Sequence, residues 1–268
     1  MPSSSYDILI VGAGIAGSAL AYALSTASPS ASRAVPLRIA LLERSLAEPD
    51  RIVGELLQPA GVAALRSLGL GGCLDGIDAI PVHGYAVLDA GRTVHIPYPC
   101  RAQGRSFHHG RFVQNLRACA KAASGVDVLE ATVTDLIECP LTRRVVGVRA
   151  RRDGETDSKE AFYADLVVIA DGCFSNFRSA VMGCNNAQMS KPALRSHFVG
   201  AILEDVTLPI PQHGTVALIK GHGPVLIYQI GEHDTRILID VKNPVPSDLK
   251  VTSHQAYRPH PYSSTLFF

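Results

Sequence analysis

Three glycines near the start of the chain, Gly12, Gly14 and Gly17, follow an apolar run with the spacing G-x-G-x-x-G. In this pattern the first glycine makes a tight turn, the second lets a pyrophosphate approach the backbone, and the third lets a helix pack closely on a strand. The helix that begins here would direct its N–H groups at the phosphates. The spacing therefore predicts a dinucleotide site that includes Ala13, with a glycine-rich structural turn as the alternative.

An acidic side chain follows the next apolar run. LRIALLE, residues 37–43, predicts a buried strand that ends in Glu43, and Arg44 comes directly after it. A carboxylate in this position can accept both ribose hydroxyls of an adenosine and disfavours a 2′-phosphate, which argues against NADP in this site. The glycines and the acid are further apart than the usual ~20 residues because a polar segment, residues 26–36, lies between them.

A third element also ends in polar residues. DLVVIADG predicts a strand that delivers Asp171 and Gly172 to a turn, and similar DG segments serve nucleotide binding in flavoproteins. A plain Asp-Gly turn is the alternative. No Ser-His-Asp set or pair of carboxylates has catalytic spacing, and the adjacent side chains of His108 and His109 should diverge. We therefore predict no catalytic side chain and no metal ligand.

Composition narrows the classes of protein that this chain could be. Of its 268 residues, 47% are hydrophobic and 18% are charged, with a net charge of +1, so we expect a globular protein without a nucleic-acid partner. The six cysteines form no C-x-x-C pair and are expected to be reduced. The start MPSSS does not resemble a signal peptide, and no apolar run approaches the ~18 residues of a membrane-spanning helix.

The elements that must position these residues are predicted to alternate at first and then to become mainly strands. In the first helix, Ile15, Ala19 and Ala23 repeat at helical spacing and are expected to pack on a sheet. A short helix is predicted over residues 61–69, a hairpin from GYAVLD and RTVHIP, and a helix from HGRFVQNLRACAKAA. Three segments are expected: a dinucleotide-binding domain over 1–180 with a hairpin insertion at 80–100, a β-rich substrate-domain portion over 181–250, and an atypical tail over 251–268.

The stretch ERSLAEPDRIVGELLQPAGVAALRSLGL is similar to the squalene monooxygenase (squalene epoxidase) family, in which ER-x-x-x-x-PDRIVGE-x-x-QPGG is characteristic. HGYAVLD, IPYP, GRSFHHGRFVQNLR, VIADGCFSNFR, SHFVG and PVLIYQI resemble that family in the same order. The resemblance covers about residues 6–249. It departs from the pattern at Ala60, where the family has glycine.

This resemblance implies an α/β fold with a FAD-binding Rossmann-like domain of the GR2, or aromatic-hydroxylase-like, type and a β-rich substrate domain. It implies that Arg51 and Leu56 contact FAD. It also implies that Arg117 and the backbone of Val133 hold the cofactor, and that Gln58 and Tyr85 line the substrate cavity. From the residues alone, Arg117 could instead lie on a solvated helix face with Gln114 and Lys121, and Tyr85 could be ordinary strand packing.

The resemblance further implies conversion of squalene to (S)-2,3-oxidosqualene in sterol (ergosterol) biosynthesis. The reaction would use FAD, O₂ and electrons from NADPH through a reductase, at the surface of the endoplasmic reticulum membrane. The last residues, 251–268, do not resemble the family, which continues through a GD-x-x-x-x-x-HPLTGGGM block. We therefore expect a C-terminally truncated enzyme of impaired activity. The alternatives are another FAD monooxygenase of aromatic-hydroxylase type and an inactive flavoprotein fragment.

Overall fold

The computed structural model describes residues 4–27, 35–152, 159–182 and 195–242, so the predicted tail 251–268 lies outside the described residues. These ranges contain fifteen strands, four α-helices and two short 3₁₀ turns. The strands are β1 (Ser4–Val11), β2 (Ile39–Glu43), β3 (Leu56–Leu57), β4 (Ile80–Val82), β5 (Gly84–Asp89), β6 (Arg92–Pro97), β7 (Gly104–Ser106), β8 (Val126–Glu130), β9 (Thr132–Glu138), β10 (Val145–Arg151), β11 (Glu160–Ile169), β12 (Ser196–Glu204), β13 (Gly214–Leu218), β14 (Val225–Gln229) and β15 (Asp234–Lys242). The helices are α1 (Ile15–Thr26), α2 (Pro59–Ser67), α3 (His109–Ala122) and α4 (Arg178–Val181), and the 3₁₀ turns are Gly71–Leu74 and Pro99–Arg101.

The chain folds as two compact units, each built from three separate stretches. The described residues of Met1–Pro49, Leu68–Cys73 and Val113–Met189 form unit 1, and those of Asp50–Ser67, Leu74–Phe112 and Ser190–Phe268 form unit 2. The chain therefore passes between the units several times. The domain limits at 180 and 250 that were expected from the sequence stay a prediction. Among the described residues, no helix has both the length and the apolar character needed to cross a membrane.

Unit 1 contains a six-stranded sheet in the order β8-β2-β1-β11-β10-β9. The first four strands run parallel, and β10 and β9 are antiparallel additions. Strand β2 and the second half of β1 are apolar without alternation because both of their faces are covered. In β1, Ile8 and Ile10 belong to one buried cluster, and Leu9 and Val11 belong to another. This sheet brings the ends of β1, β2 and β11 to one edge.

Helices α1 and α3 contribute small side chains to one of these clusters, through Ala21 and Ala120. The sequence predicted that Ile15, Ala19 and Ala23 form the face of α1 that packs on the sheet. This prediction was wrong, because the buried residues are Gly17, Ser18 and Ala21, while Ile15 is 38% exposed. The reason is the close approach of α1 to the turn that precedes it. That approach selects small residues for the contact face, so apolar periodicity is a poor guide there.

Unit 2 contains a second six-stranded sheet, in the order β12-β15-β14-β13-β5-β6, and a small sheet in the order β3-β7-β4. The predicted hairpin is confirmed by the pairing of β5 with β6, from Gly84 opposite Pro97 to Asp89 opposite Arg92. Strand β13 pairs in parallel with β5. The hairpin therefore belongs to the same sheet as the strands that follow residue 195.

Candidate functional site

The turn between β1 and α1 requires two of its three glycines for purely structural reasons. Gly12 has a φ of +103°, and a Cβ placed there would lie 2.4 Å from the carbonyl oxygen of Ala170. A Cβ at Gly17 would lie 1.9 Å from the carbonyl oxygen of Gly12. A side chain at either position would collide with backbone, which cannot move aside. Gly12 and Gly17 are therefore explained by backbone packing and are not evidence for a ligand.

Gly14 differs from these two glycines, because backbone packing does not explain it. It is the N-cap of α1, with an extended backbone at φ −79° and ψ −164° that any residue could adopt. A Cβ placed there would meet nothing within 4 Å. Packing therefore does not require glycine at this position. A large group approaching the N-terminus of α1 would require it, and the unobstructed backbone fits a phosphate group of a dinucleotide.

The peptide units of Ala13, between these glycines, are held by two opposite charges. The N–H of Ala13 donates to Oε2 of Glu43 at 2.8 Å, and Nε of Arg117 donates to the carbonyl oxygen of Ala13 at 2.8 Å. Nη2 of Arg117 lies 3.7 Å from Oε2 of Glu43. Burial lowers the pKa of Arg117, and the charge of Glu43 partly offsets that shift. Because Arg117 is only 8% exposed, the solvated-face alternative for this residue was wrong.

Helix α3 also holds the segment that follows β2. Nη1 of Arg117 donates to the carbonyl oxygen of Ala47 at 3.0 Å, and Nε2 of Gln114 donates to that of Leu46 at 2.9 Å. The N–H of Leu46 donates to Oε1 of Glu130 at 3.0 Å. Arg44, predicted to contact the cofactor, is exposed at the beginning of this segment. The turn after β1, at residues 12–14, and the segment 43–47 at the end of β2 are thus joined by hydrogen bonds, and together they form the rim of the candidate site.

Asp171 and Gly172 lie beside the glycine turn. The N–H of Ala170 donates to the carbonyl oxygen of Val11 at 2.8 Å, which continues the pairing of β11 with β1. The Cα of Asp171 lies 2.9 Å from the position that a Cβ on Gly12 would occupy, and Gly172 turns the chain with a φ of +82°. Unit 1 therefore brings the predicted Asp-Gly segment to the same edge of the sheet as Gly12.

Val133, predicted to hold the cofactor through its backbone, lies in β9 and is partly buried against the hydrophobic cluster that includes Leu42. Ala131, two residues earlier, donates its N–H to the carbonyl oxygen of Glu43 at 2.8 Å. This bond links the start of β9 to the end of β2. The contact ties the neighbourhood of Val133 to the rim around Glu43.

In unit 2, the two predicted cavity residues are in direct contact. Nε2 of Gln58 donates a short hydrogen bond to the hydroxyl oxygen of Tyr85. The ring of Tyr85 packs edge-on against Tyr98, with centroids 5.8 Å apart. Burial, followed by the neighbouring Tyr85, raises the pKa of Tyr98. Leu56, predicted to lie near the flavin, and Tyr85 both lie beside Gly214. A Cβ placed on Gly214 would lie 3.0 Å from the Tyr85 ring and 3.8 Å from the side chain of Leu56.

A buried ion pair in unit 2 was not predicted from the sequence. Glu55 is 2% exposed and Arg236 is 5% exposed. Nε and Nη2 of Arg236 donate to the two carboxylate oxygens at 2.8 and 2.7 Å, and the hydroxyl of Tyr228 donates to Oε2 at 3.2 Å. Burial and the charge of Glu55 raise the pKa of Tyr228. The signal in the sequence was a charged residue inside the apolar run IVGELL.

The remaining predicted residue, Arg51, precedes Glu55 by four positions in the chain and is exposed. Two histidines also hold this part of unit 2. Nε2 of His108 contacts Asp234 at 2.9 Å, and Nδ1 of His109 donates to the carbonyl oxygen of Gly54 at 3.2 Å. The two side chains diverge, as the sequence predicted. In the part of the chain that the structure describes, no group of three or more metal-ligating side chains is assembled.

An open cavity of about 880 Å³ lies elsewhere in unit 2. It is formed by the turn between β5 and β6, the segment between β13 and β14, and residues 206–209. None of the residues predicted to bind cofactor or substrate lines it.

Comparisons with known proteins identify relatives of this chain. Residues 163–261 match the family model for squalene epoxidase. The chain is 44% identical over 251 residues to squalene epoxidase erg1 of Aspergillus fumigatus, an alignment that covers 90% of this chain and 48% of the relative. It is 43% identical over 244 residues to squalene monooxygenase SE2 of Panax ginseng, which covers 89% of this chain and 41% of the relative. The chain thus spans just under half the length of these relatives.

Among solved structures, PqsL from Pseudomonas aeruginosa, described as a probable FAD-dependent monooxygenase, superposes with a TM-score of 0.70 at 19% identity. The superposition covers 89% of this chain and 61% of PqsL. At this level of identity the likeness concerns the fold alone. It confirms the predicted fold class, a mixed α/β fold of the type found in FAD-dependent monooxygenases.

Proposed function

Because this chain belongs to the squalene epoxidase family, we propose that it carries the FAD-binding and substrate-facing residues of an enzyme that converts squalene to (S)-2,3-oxidosqualene. The reaction consumes O₂ and electrons from NADPH that a reductase delivers, and it takes place at the surface of the endoplasmic reticulum membrane. The chain spans about half the length of its relatives. The epoxidation of squalene by this chain is therefore proposed together with its binding of FAD.

The observation that supports FAD binding most directly is the unobstructed backbone of Gly14 at the N-terminus of α1. The N–H groups of this turn would hold the pyrophosphate. Oε2 of Glu43 is occupied by Ala13, while Oε1 makes only a long contact of 3.4 Å with the N–H of Ser45. Glu43 therefore retains the capacity to accept ribose hydroxyls.

The remaining cofactor-binding residues are assigned by the family resemblance. They are Arg44, Arg51, Leu56, Arg117, Val133, Asp171 and Gly172. Arg117 would act indirectly, because its side chain is directed at the backbone of Ala13 and Ala47. By holding both segments it would fix the shape of the rim before the cofactor arrives.

When bound, FAD supplies the oxygen-transfer chemistry that amino-acid side chains lack. The protein must then orient an apolar alkene and exclude water. Gln58 and Tyr85 would serve this purpose in unit 2, since their hydrogen bond fixes the hydroxyl and the ring of Tyr85. No proton transfer through these two residues is required for them to orient a hydrocarbon.

The test is to purify the protein, saturate it with FAD, remove the excess by desalting, and measure bound flavin by absorbance. The loaded protein is then supplied with squalene, NADPH and a purified NADPH-dependent reductase, and oxidosqualene is quantified by mass spectrometry. Stoichiometric flavin together with oxidosqualene would support the proposal. Bound flavin with hydroxylated phenols as the product would indicate an aromatic hydroxylase, and protein without flavin at saturating FAD would contradict cofactor binding by this chain.

A further inference from the structure

Two cysteine side chains of unit 1 meet at a place that the proposed function does not use. Sγ of Cys73, in the 3₁₀ turn Gly71–Leu74, lies 3.4 Å from Sγ of Cys119 in α3. Cys73 is 2% exposed, and Cys119 is partly exposed. Nδ2 of Asn115 donates to the carbonyl oxygen of Cys73 at 3.1 Å, which fixes the turn against the helix.

From this geometry we propose that Cys73 and Cys119 are an oxidation site that forms a reversible intramolecular disulfide. A disulfide bond is about 2.05 Å long, so the sulfur atoms must approach by only about 1.4 Å from their separation of 3.4 Å. Rotation of the two side chains can share that movement. Both residues lie in the same compact unit, so no rearrangement between units is involved.

The oxidant would be hydrogen peroxide or another small hydroperoxide. The thiolate of Cys119, the more exposed partner, attacks one peroxide oxygen, the O–O bond breaks, and a sulfenic acid and water form. The thiolate of Cys73 then attacks the sulfur of Cys119, the S–O bond breaks, and a second water leaves. In total two thiols and one peroxide give one disulfide and two waters. A dithiol reductant reverses the reaction.

The position of the pair along the chain gives the bond a physical consequence. The chain leaves unit 1 after Cys73 and returns to it at Val113, and the segment between them, Leu74–Phe112, belongs to unit 2. The disulfide would close a loop between residues 46 positions apart, at the place where the chain leaves and re-enters unit 1. Closing such a loop restricts the unfolded chain and stabilises the folded one.

The test is to treat the reduced protein with hydrogen peroxide, block the remaining thiols, and analyse it by intact mass and by non-reducing peptide mapping. We expect the loss of two hydrogen masses, one peptide pair that links Cys73 to Cys119, and a melting temperature raised by several degrees that returns to its starting value with dithiothreitol. Cys119→Ser should abolish both the mass loss and the rise in melting temperature, and Cys73→Ala should do the same.

Cys139 provides the matched control, because hydrogen bonds from Thr142 lower the pKa of its thiol and make it a competing target. Cys139→Ser should form the Cys73–Cys119 link as the unmodified protein does. The proposal is overturned if peroxide adds oxygen to Cys73 or Cys119 without linking them. It is also overturned if the linked peptides contain any other pair of cysteines. The mass measurement on the unmodified protein decides the question even if a variant fails to fold.

Discussion

Arg236 donates two hydrogen bonds to the carboxylate of Glu55, and both side chains are almost completely removed from solvent. Burial alone would lower the pKa of Arg236, but the hydrogen bonds and charge of Glu55 outweigh it and raise that pKa. The backbone of Glu55 is held as well, since its carbonyl oxygen accepts the N–H of Phe107 at 2.8 Å. The pair therefore fixes the segment immediately before Leu56 to strand β15.

Removing one partner of this pair should destabilise the protein strongly, because the other charge remains buried without compensation. We expect Arg236→Ala to lower the free energy of unfolding by about 3–5 kcal/mol, measured by urea denaturation. The exposed pair of Arg143 and Glu138 is the control, and Arg143→Ala should cost about 1 kcal/mol or less. If Glu55→Leu combined with Arg236→Leu were as unstable as the single variant, unpaired charge would not be the cause.

The glycine turn allows binding and folding to be separated. Gly17→Ala should lower the free energy of unfolding by roughly 3 kcal/mol, because its Cβ would collide with the backbone of Gly12. Gly14→Ala should leave the melting temperature of the flavin-free protein nearly unchanged, because its Cβ meets open space, yet it should weaken FAD binding at least ~10-fold. Thermal melts and titration of flavin fluorescence measure the two effects. Unchanged FAD affinity in Gly14→Ala would argue for a structural turn.

The sequence was sufficient for the parts of the molecule in which local pattern determines the outcome. Apolar runs predicted the parallel strands β1, β2 and β11, and the segments GYAVLD and RTVHIP predicted the β5–β6 hairpin. The sequence was not sufficient where a contact between residues far apart in the chain determines which side chains are buried. Arg117 has the spacing of a surface residue, and its burial is favourable because the carbonyl oxygens of Ala13 and Ala47 accept its hydrogen bonds. Arg236 and Glu55 are 181 positions apart, so no local pattern could pair them.

Arg117 should matter for the flavin through the shape of the rim. We expect Arg117→Ala to lower FAD affinity ~10-fold or more and to cost about 2 kcal/mol of stability, because the carbonyl groups of Ala13 and Ala47 lose a charged donor. Lys121→Ala, an exposed cation on the same helix, is the matched control and should change neither quantity. Flavin titration and urea denaturation give the two values. Equal effects of both substitutions would mean that only net charge matters.

One pH effect follows from a surface contact in unit 2. Nδ1 of His233 contacts Oδ1 of Asp205 at 2.8 Å, and this hydrogen bond and charge raise the pKa of His233 above its ordinary value of 6.5. The contact therefore stabilises the folded state fully below pH 6.5, and the stabilisation is lost as pH rises through the raised pKa. Asp205→Asn should lower the pKa of His233, measured by NMR of the imidazole proton. An unchanged pKa would show that the contact is absent in solution.

Loss of the contact between Gln58 and Tyr85 should lower product formation and should not change the amount of bound flavin. Tyr85→Phe removes the hydroxyl that accepts the hydrogen bond of Gln58, so the amide of Gln58 loses the partner that orients it. We expect oxidosqualene formation to fall ~10-fold or more, which corresponds to about 1.4 kcal/mol, while bound flavin after desalting stays stoichiometric. Tyr163→Phe, on an exposed position of β11, is the matched control and should retain full product formation.

A double-mutant cycle identifies the cause. If the two side chains act as a unit, Gln58→Leu combined with Tyr85→Phe should lose no more activity than the worse single variant, because the shared hydrogen bond can be lost only once. Additive losses would mean that each residue contacts the substrate independently. A parallel loss of bound flavin in the single variants would move both residues from the substrate cavity to the cofactor site.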